Sequence, residues 1–322
     1  AVEEAGNNVV CCQGSPMLGA EVILEGFTEE NQATYTPEEE AKMLEEALEA
    51  AKKADQVVLF IGEDRLQSGE ATSNATIQIP QIQQNLLERV AEINENIAVV
   101  LFSGRPLDLR DVQVKAKAIL EVWMPGTEGA GAITDVLYGR YNPTGKLPMS
   151  FPYCVGQVPV HYNEYATGRP HVEGKDKDRF RSKYLDIPNA PLYPFGYGLS
   201  YTTFALDNEA VDAEMGWVTA TVENTGDRDG ETVVQVYVQD VDTKWETLHP
   251  HLAGFARVAL KAGEKRQIAV PLDKNAFTVV NDAGERVADG KVFDVYCGLY
   301  QPDERSAELT GQTPVRMTIR FE

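Results

Sequence analysis

Three carboxylates within nine residues are the strongest candidates for chemistry in this chain. They are Glu63, Asp64 and Glu70, in the segment GEDRLQSGE at residues 62–70. A carboxylic acid that acts as a general acid must stay protonated near neutral pH, so it needs an apolar or negatively charged setting. A loop dense in carboxylates above a crevice offers such a setting. Composition alone, however, favours a solvated acidic loop.

The elements around this loop predict an α/β domain. Helices are predicted for PEEEAKMLEEALEAAKKAD, for the segment opened by Pro80, and for TEGAGAITDVLYG. Buried strands are predicted for QVVLFIG, IAVVLFSG and AILEVWMPG. Apolar strands that alternate with helices imply a parallel sheet covered on both faces, with its ligand crevice beyond the carboxyl ends of the strands. The loop at 62–70 leaves one of those ends.

Beyond the α/β pattern, the chain changes character twice. Proline, glycine and aromatic residues predominate through an irregular linker that ends at residue 204. From residue 205 the apolar pattern has period two, as in WVTATVENTG and ETVVQVYVQD, which predicts an all-β sandwich. We therefore expect an α/β sandwich domain at 1–150, the linker at 151–204 and the β-sandwich at 205–322.

Composition and charge argue against several classes of partner. The 322 residues carry 50 acidic and 29 basic side chains, a net charge of −21, which would repel nucleic acid and anionic membranes. No apolar stretch approaches the ~18 residues needed to span a bilayer. The chain begins with Ala and shows no signal peptide, so its start says nothing about export. We expect neither a nucleic-acid nor a membrane partner.

The cysteine and histidine patterns predict neither a disulfide framework nor a metal site. The four cysteines are Cys11, Cys12, Cys154 and Cys297. Two are adjacent, which fits no zinc spacing, so we expect reduced, mostly buried thiols and favour the cytoplasm. A lone HxH at residues 249–251 is interpreted as a loop, and the chain lacks GxSxG and GxxxxGK(S/T) motifs. We expect no metal and no cofactor.

A series of longer motifs runs through the chain. It begins with GEDRLQSGEATSNATIQIPQIQQNLL and continues with LFSGRPLDL, AILEVWMPGTEGAGAITDVLYGRYNPTGKLPMSFP, TGRP, PLYPFGYGLSYTTF and HPHLAGFARVALKAGE. In content and order this series resembles the C-terminal domains of glycoside hydrolase family 3, above all its bacterial β-glucosidase and β-xylosidase branch. The resemblance spans roughly residues 38–300. It implies an α/β sandwich with a mostly parallel sheet flanked by helices, then an all-β fibronectin-III/immunoglobulin-like sandwich.

The resemblance implies different roles for the acids of the loop. It assigns the acid/base role to Glu70, in SGE, and a structural or supporting role to Glu63. Asp64 matches no role, and we expect it to be exposed. Asn74 stands where the family usually has a basic residue, which affects expected sugar or carboxylate contacts but not the glutamate. No further substrate-binding residue is predicted.

The resemblance also implies a catalytic partner outside these residues. Retaining glycosidases use two carboxyl groups about 5–5.5 Å apart, one as nucleophile and one as acid/base. In family 3 the nucleophile is an aspartate in a (β/α)8 barrel, and the three predicted parts leave no room for a barrel here. We therefore expect part of an exo-acting, retaining β-glycosidase that hydrolyses terminal β-linked glucose or xylose. The barrel would lie on another chain or a missing segment.

Several alternatives stay open. The chain is either part of such an enzyme, acting on a β-linked oligosaccharide or glycoside, or a non-catalytic carbohydrate-binding or scaffold module derived from one. Homo-oligomerisation also stays open. Trp123 lies at a strand end, where sugar stacking and core packing are equally compatible with the pattern. The SGRPLDL turn either lines the crevice or packs without a ligand, and packing is favoured. The charged segment TGRPHVEGKDKDRFRSKYLD is either a substrate-entrance loop or an ordinary solvated one.

Overall fold

The chain folds into two compact units. The computed structural model describes residues 8–19, 35–70, 72–165, 167–171, 174–175, 177–247 and 249–322. The first unit comprises the described residues up to Tyr138 together with Pro152–Val158, and the second comprises Gly139–Phe151 and those of Pro159–Glu322. Within the described ranges, no helix is both long and apolar enough to cross a bilayer.

The first unit is a small parallel sheet flanked by helices, as predicted. Its elements are α1 (Pro37–Ala51), β1 (Val57–Gly62), α2 (Gln81–Ala91), β2 (Ile97–Phe102), α3 (Arg110–Lys115), β3 (Ala118–Glu121) and α4 (Gly129–Leu137). The strands are parallel and lie in the order β1-β2-β3. The sequence patterns did not predict α3, whose six residues are too few to show a helical period.

Continuous apolar residues place β2 at the centre of this sheet. Five of its six residues are buried, which is the pattern of a strand covered on both faces. One face of α2 packs towards the core and buries Leu86, Leu87 and Val90. The core therefore fixes the strand ends from which the acidic loop departs.

The exit from β1 requires glycine. Gly62 has a φ of 142°, and a Cβ at this position would lie 1.9 Å from the carbonyl oxygen of Phe102. The buried side chain of Gln83, on α2, holds both backbone groups of Gly62. Its Oε1 accepts a hydrogen bond from the Gly62 amide at 2.7 Å, and its Nε2 donates to the Gly62 carbonyl at 3.0 Å. The acidic loop therefore starts from a fixed point.

The described part of the second unit is built mainly of antiparallel sheets, which confirms the predicted all-β sandwich. Its elements are β4 (Phe204–Asp212), β5 (Trp217–Asn224), β6 (Gly230–Asp240), β7 (His251–Leu260), β8 (Lys265–Pro271), β9 (Val279–Val280), β10 (Arg286–Val287), β11 (Val292–Gly298), α5 (Glu304–Thr310) and β12 (Val315–Arg320). The sheets have the orders β12-β11-β6-β7 and β4-β5-β8, and β9 pairs with β10. The patterns did not predict β4, β7, β10, β12 or α5.

Much of the irregular segment packs within the second unit. The Tyr162 ring stacks on Phe195 at a centroid distance of 4.1 Å. Gln235, on β6, donates to the carbonyl of Gly196 at 3.0 Å, and Lys146 donates to the carbonyl of Gly198 at 2.7 Å. The first and third contacts hold the proline- and glycine-rich residues together, and the contact of Gln235 joins them to the β-sandwich.

The cysteines are free, as predicted, but the expectation of mostly buried thiols is wrong. Only Cys297 is buried, while Cys154 is half-buried and both Cys11 and Cys12 are exposed. The adjacent pair lies in the segment 8–19, which forms neither a helix nor a strand and so offers these thiols no core.

Candidate functional site

The carboxyl ends of the three parallel strands bring polar side chains together. Glu63 directly follows β1, Ser103 directly follows β2, and Glu121 is the last residue of β3. These residues are far apart in sequence, but the parallel arrangement places them at the same edge of the sheet. This is the edge at which open α/β sheets bind their ligands.

Glu63 anchors the acidic loop. Its side chain is 2% exposed, and its Oε1 lies 2.9 Å from Nε of Arg105, in an ion pair that is not an aligned hydrogen bond. Its Oε2 accepts a hydrogen bond of 2.9 Å from the Gly104 amide, and its own amide donates to the Phe102 carbonyl at 2.8 Å. A buried carboxylate is costly unless it is paired, and both oxygens are paired here. These are the contacts of a supporting residue.

Arg105 ties this anchor to the rest of the loop. Its Nη2 donates to the carbonyl of Gln67 at 2.6 Å, at the end of a short 3-10 helix (Arg65–Gln67). Asn74 donates to the same carbonyl at 3.3 Å. The guanidinium therefore connects two points of the loop, three and seven residues before Glu70. Sequence reasoning favoured a packing turn over a crevice-lining one for SGRPLDL and gave Arg105 no role. The sequence signal for that role was an arginine just after a strand.

Glu70 lies exposed at the end of the loop. It follows Gly69, whose φ of 133° favours glycine, and Thr72 donates to the Gly69 carbonyl at 2.7 Å. The structure thus places Glu63 and Glu70 on one loop but in different settings. Asp64 is half-buried, so the expectation that it would be exposed is wrong. Its amide donates to Gln67 Oε1 at 3.1 Å, within the turn of the loop.

Glu121 is a titratable residue of this edge that sequence reasoning missed. Its Oε1 accepts hydrogen bonds from the Ser103 hydroxyl at 3.1 Å and from the Trp123 amide at 2.7 Å. Its Oε2 is sealed from solvent and has no hydrogen-bond partner within the described residues. Burial, reinforced by the negative charge of Glu63, outweighs the two hydrogen bonds and raises the pKa of Glu121 to about 7. The only sequence signal for this residue was a glutamate within the apolar run AILEVW.

Trp123 has an unusual backbone conformation beside Glu121. Its φ is 50°, in the left-handed region that a residue with a bulky side chain rarely adopts. Such a conformation costs on the order of 1–2 kcal/mol and persists only where the surroundings enforce it. The side chain is half-buried, which is compatible with both sugar stacking and core packing.

Histidines do not form a metal cluster in the described part of the chain. No group of three or more His, Cys, Asp or Glu side chains there is arranged to hold a metal ion. His251 begins β7 and is half-buried, and burial lowers its pKa. The amide of His249 donates to the carbonyl of Glu164 at 3.0 Å, which is an ordinary loop contact.

Comparison with known families agrees with this architecture. The profile described as "Glycosyl hydrolase family 3 C-terminal domain" matches residues 3–201. The profile described as "Fibronectin type III-like domain" matches residues 232–300. The two matches follow one another along the chain in the same order as the parallel sheet and the antiparallel sheets.

The regions matched by individual relatives cover most of this chain but only about a third of each relative's length. The "Periplasmic beta-glucosidase" of Salmonella typhimurium is 43% identical over 276 residues, which are 84% of this chain and 36% of the relative. The "Beta-xylosidase" of Formosa agariphila is 37% identical over 260 residues, with 79% and 35% covered. The crystal structure of β-glucosidase from Listeria innocua in complex with gluconolactone superimposes with a TM-score of 0.79 at 35% identity, with 89% and 39% covered. The chain thus spans about a third of these relatives' length. It belongs to the glycosyl hydrolase family 3 C-terminal domain family and carries a fibronectin type III-like domain after it.

Proposed function

We propose that this chain supplies the acid/base half of a retaining, exo-acting β-glycosidase, with Glu70 as the acid/base. The observation that carries the proposal is the clamp made by Glu63 and Arg105 at the strand edge. This clamp holds the loop that presents the exposed carboxyl group of Glu70. The names of the relatives, a β-glucosidase and a β-xylosidase, point to β-linked glucose or xylose as the substrate class.

Glu70 would act twice in the reaction. In the first step it gives its proton to the glycosidic oxygen as the bond from that oxygen to the anomeric carbon breaks. A carboxylate from a barrel domain attacks the same carbon and forms the glycosyl-enzyme. In the second step Glu70 takes a proton from the water that attacks the anomeric carbon, and the sugar leaves with retention of configuration.

A barrel domain is the partner that this mechanism requires. A general acid must be held protonated, which takes burial or neighbouring negative charge. Glu70 is exposed in this chain. A barrel, on a further segment or a separate chain, would cover the edge of the sheet and bring its nucleophilic aspartate to the position that the mechanism requires. The lengths of the relatives leave room for such a domain.

The test is Glu70→Ala in the full-length protein that contains this chain. We expect turnover of a glucoside with a poor leaving group to fall by roughly 10²–10⁴-fold, because that oxygen must be protonated as it leaves. For an aryl glucoside with a good leaving group, the rate of the first step should fall much less. Azide should restore turnover of this substrate by forming the β-glycosyl azide. Asp64→Asn, on the same loop, is the matched control and should leave these rates nearly unchanged.

Two results would contradict the assignment. One is a Glu70→Ala protein that cleaves the poor substrate almost as fast as wild type. The other is equal loss for poor and good leaving groups without azide rescue. A native protein that binds sugar but hydrolyses no glycoside, and whose mass matches this chain alone, would favour the non-catalytic module.

A further inference from the structure

We propose that Glu121 is a positioning residue for the acidic loop and that it acts in its neutral, protonated form. It braces the turn Ser103–Arg105, which in turn holds the loop that ends at Glu70. The inference rests on the proposed role of Glu70 and extends it. Because the free oxygen of Glu121 is sealed from solvent, Glu121 acts through its neighbours rather than by touching a substrate.

The turn Ser103–Arg105 contacts the acidic loop at three successive points. The Gly104 amide donates to Glu63, and Arg105 donates to the carbonyl of Gln67. At the third point, a Cβ on Gly104 would lie 2.5 Å from the hydroxyl oxygen of Ser68, so the turn backbone passes directly against Ser68. Ser68 lies two residues before Glu70. A shift of this turn would therefore be transmitted to the loop.

Glu121 holds the first residue of that turn. Ser103 is fully buried, and its hydroxyl donates to Glu121 Oε1 at 3.1 Å. The same oxygen accepts from the amide of Trp123, whose left-handed φ of 50° needs support from its surroundings. One carboxyl oxygen thus fixes two backbone segments, one after β2 and one after β3.

The surroundings of Glu121 fit a neutral acid better than a carboxylate. Both hydrogen bonds reach Oε1, while Oε2 is buried without a partner within the described residues. Glu63, after β1, is the charged group that acts on Glu121, and it raises the pKa of Glu121 in addition to burial. Arg105, after β2, is already paired with Glu63. Ionised Glu121 would therefore add an unpaired negative charge beside Glu63.

The substitution Glu121→Gln tests whether the neutral form of Glu121 is the one that positions the loop. Glu121→Gln keeps an acceptor for Ser103 and Trp123 but carries no charge, whereas Glu121→Ala removes the acceptor. In the full-length protein at pH 6 we expect Glu121→Gln to retain activity within about twofold of wild type. Glu121→Ala should lose on the order of tenfold or more in kcat on a poor-leaving-group glucoside, because misplaced groups transfer protons poorly. It should lose much less on a good-leaving-group aryl glucoside.

The fluorescence of Trp123 gives a readout that does not depend on activity. The measurement uses the 322-residue chain, whose other two tryptophans, Trp217 and Trp245, lie in the second unit and can be replaced by Phe. In that background the emission of Trp123 should titrate with an apparent pKa near 7 when residue 121 is Glu, since its amide is bonded to this carboxyl group. The titration should disappear in Glu121→Gln.

The outcomes separate this inference from the proposed function. The inference fails if Glu121→Gln is as impaired as Glu121→Ala at pH 6, if the losses are equal for both leaving groups, or if the Trp123 titration survives in Glu121→Gln. If Glu121→Ala does not fold, Ser103→Ala replaces it and should show a smaller loss confined to the poor substrate. If the wild-type protein hydrolyses neither these glucosides nor the corresponding xylosides, the proposed function fails, and the Trp123 titration still tests whether the neutral form of Glu121 holds its neighbours.

Discussion

Replacing Glu121 with Gln should stabilise the first unit, and the gain should grow with pH. The pKa of Glu121 is about 7 in the folded protein against an ordinary 4.5. Between these values the folded state binds more protons than the unfolded chain, so wild type loses stability as pH rises through this window. Above pH 7 the loss is complete. The raised pKa corresponds to about 3 kcal/mol at ~1.4 kcal/mol per unit, most of which appears between pH 5 and pH 8.

Urea unfolding followed by Trp123 fluorescence measures this effect. The measurement uses the 322-residue chain with Trp217 and Trp245 replaced by Phe, so that its remaining tryptophan, Trp123, reports the first unit. We expect Glu121→Gln to raise the free energy of unfolding by about 2–3 kcal/mol more at pH 8 than at pH 5. Glu95→Gln, an exposed control, should change it little at either pH. An equal effect of Glu121→Gln at both pH values, or a loss of stability at pH 8, would refute the reasoning.

Two further substitutions test how the loop is anchored. Gly62→Ala should destabilise the first unit by about 3 kcal/mol or more, because the new Cβ would lie 1.9 Å from a carbonyl oxygen at a φ of 142°. The control is Gly131→Ala, because a Cβ at this position of α4 would meet open space. In the same urea titration it should be neutral or stabilise by about 0.5–1 kcal/mol. A similar loss of stability in Gly62→Ala and Gly131→Ala would contradict the clash at Gly62. Arg105→Met should cost about 3 kcal/mol because it leaves the carboxylate of Glu63 buried without its cation. Adding Glu63→Gln should recover part of that cost. If the losses of unfolding free energy from the two single substitutions simply add in the double variant, the pairing of Arg105 with Glu63 is contradicted.

Strong local patterns predicted the elements that place the site. The continuous apolar run of β2 and the helical spacing of α1 appear in the structure as expected. Local signals did not predict α3 or α5, which are only six and seven residues long. Their helices depend on tertiary contacts that no short window contains.

The polar contacts within the site could not be predicted from the sequence, for a physical reason. The raised pKa of Glu121 arises from burial and from the charge of Glu63, which is distant along the chain. The clamp by Arg105 depends on a carbonyl oxygen and a carboxylate from another loop. Periodicity reports which face of an element is buried, but it does not report which polar atoms meet at the strand ends. The exposure of Cys11 and Cys12 was missed because composition favours burial of cysteine generally.

The central claim is that Glu70 transfers protons to and from a glycoside whose anomeric carbon is attacked by a carboxylate outside this chain. In the full-length Glu70→Ala protein, a glucoside with a good leaving group should still form the glycosyl-enzyme, which then breaks down slowly because no base activates water. Intact-mass measurement should therefore show one glycosyl group per protein, and peptide mapping should place it on an aspartate outside residues 1–322. An adduct on a carboxylate within this chain, or loss of turnover without any accumulated adduct, would contradict the account.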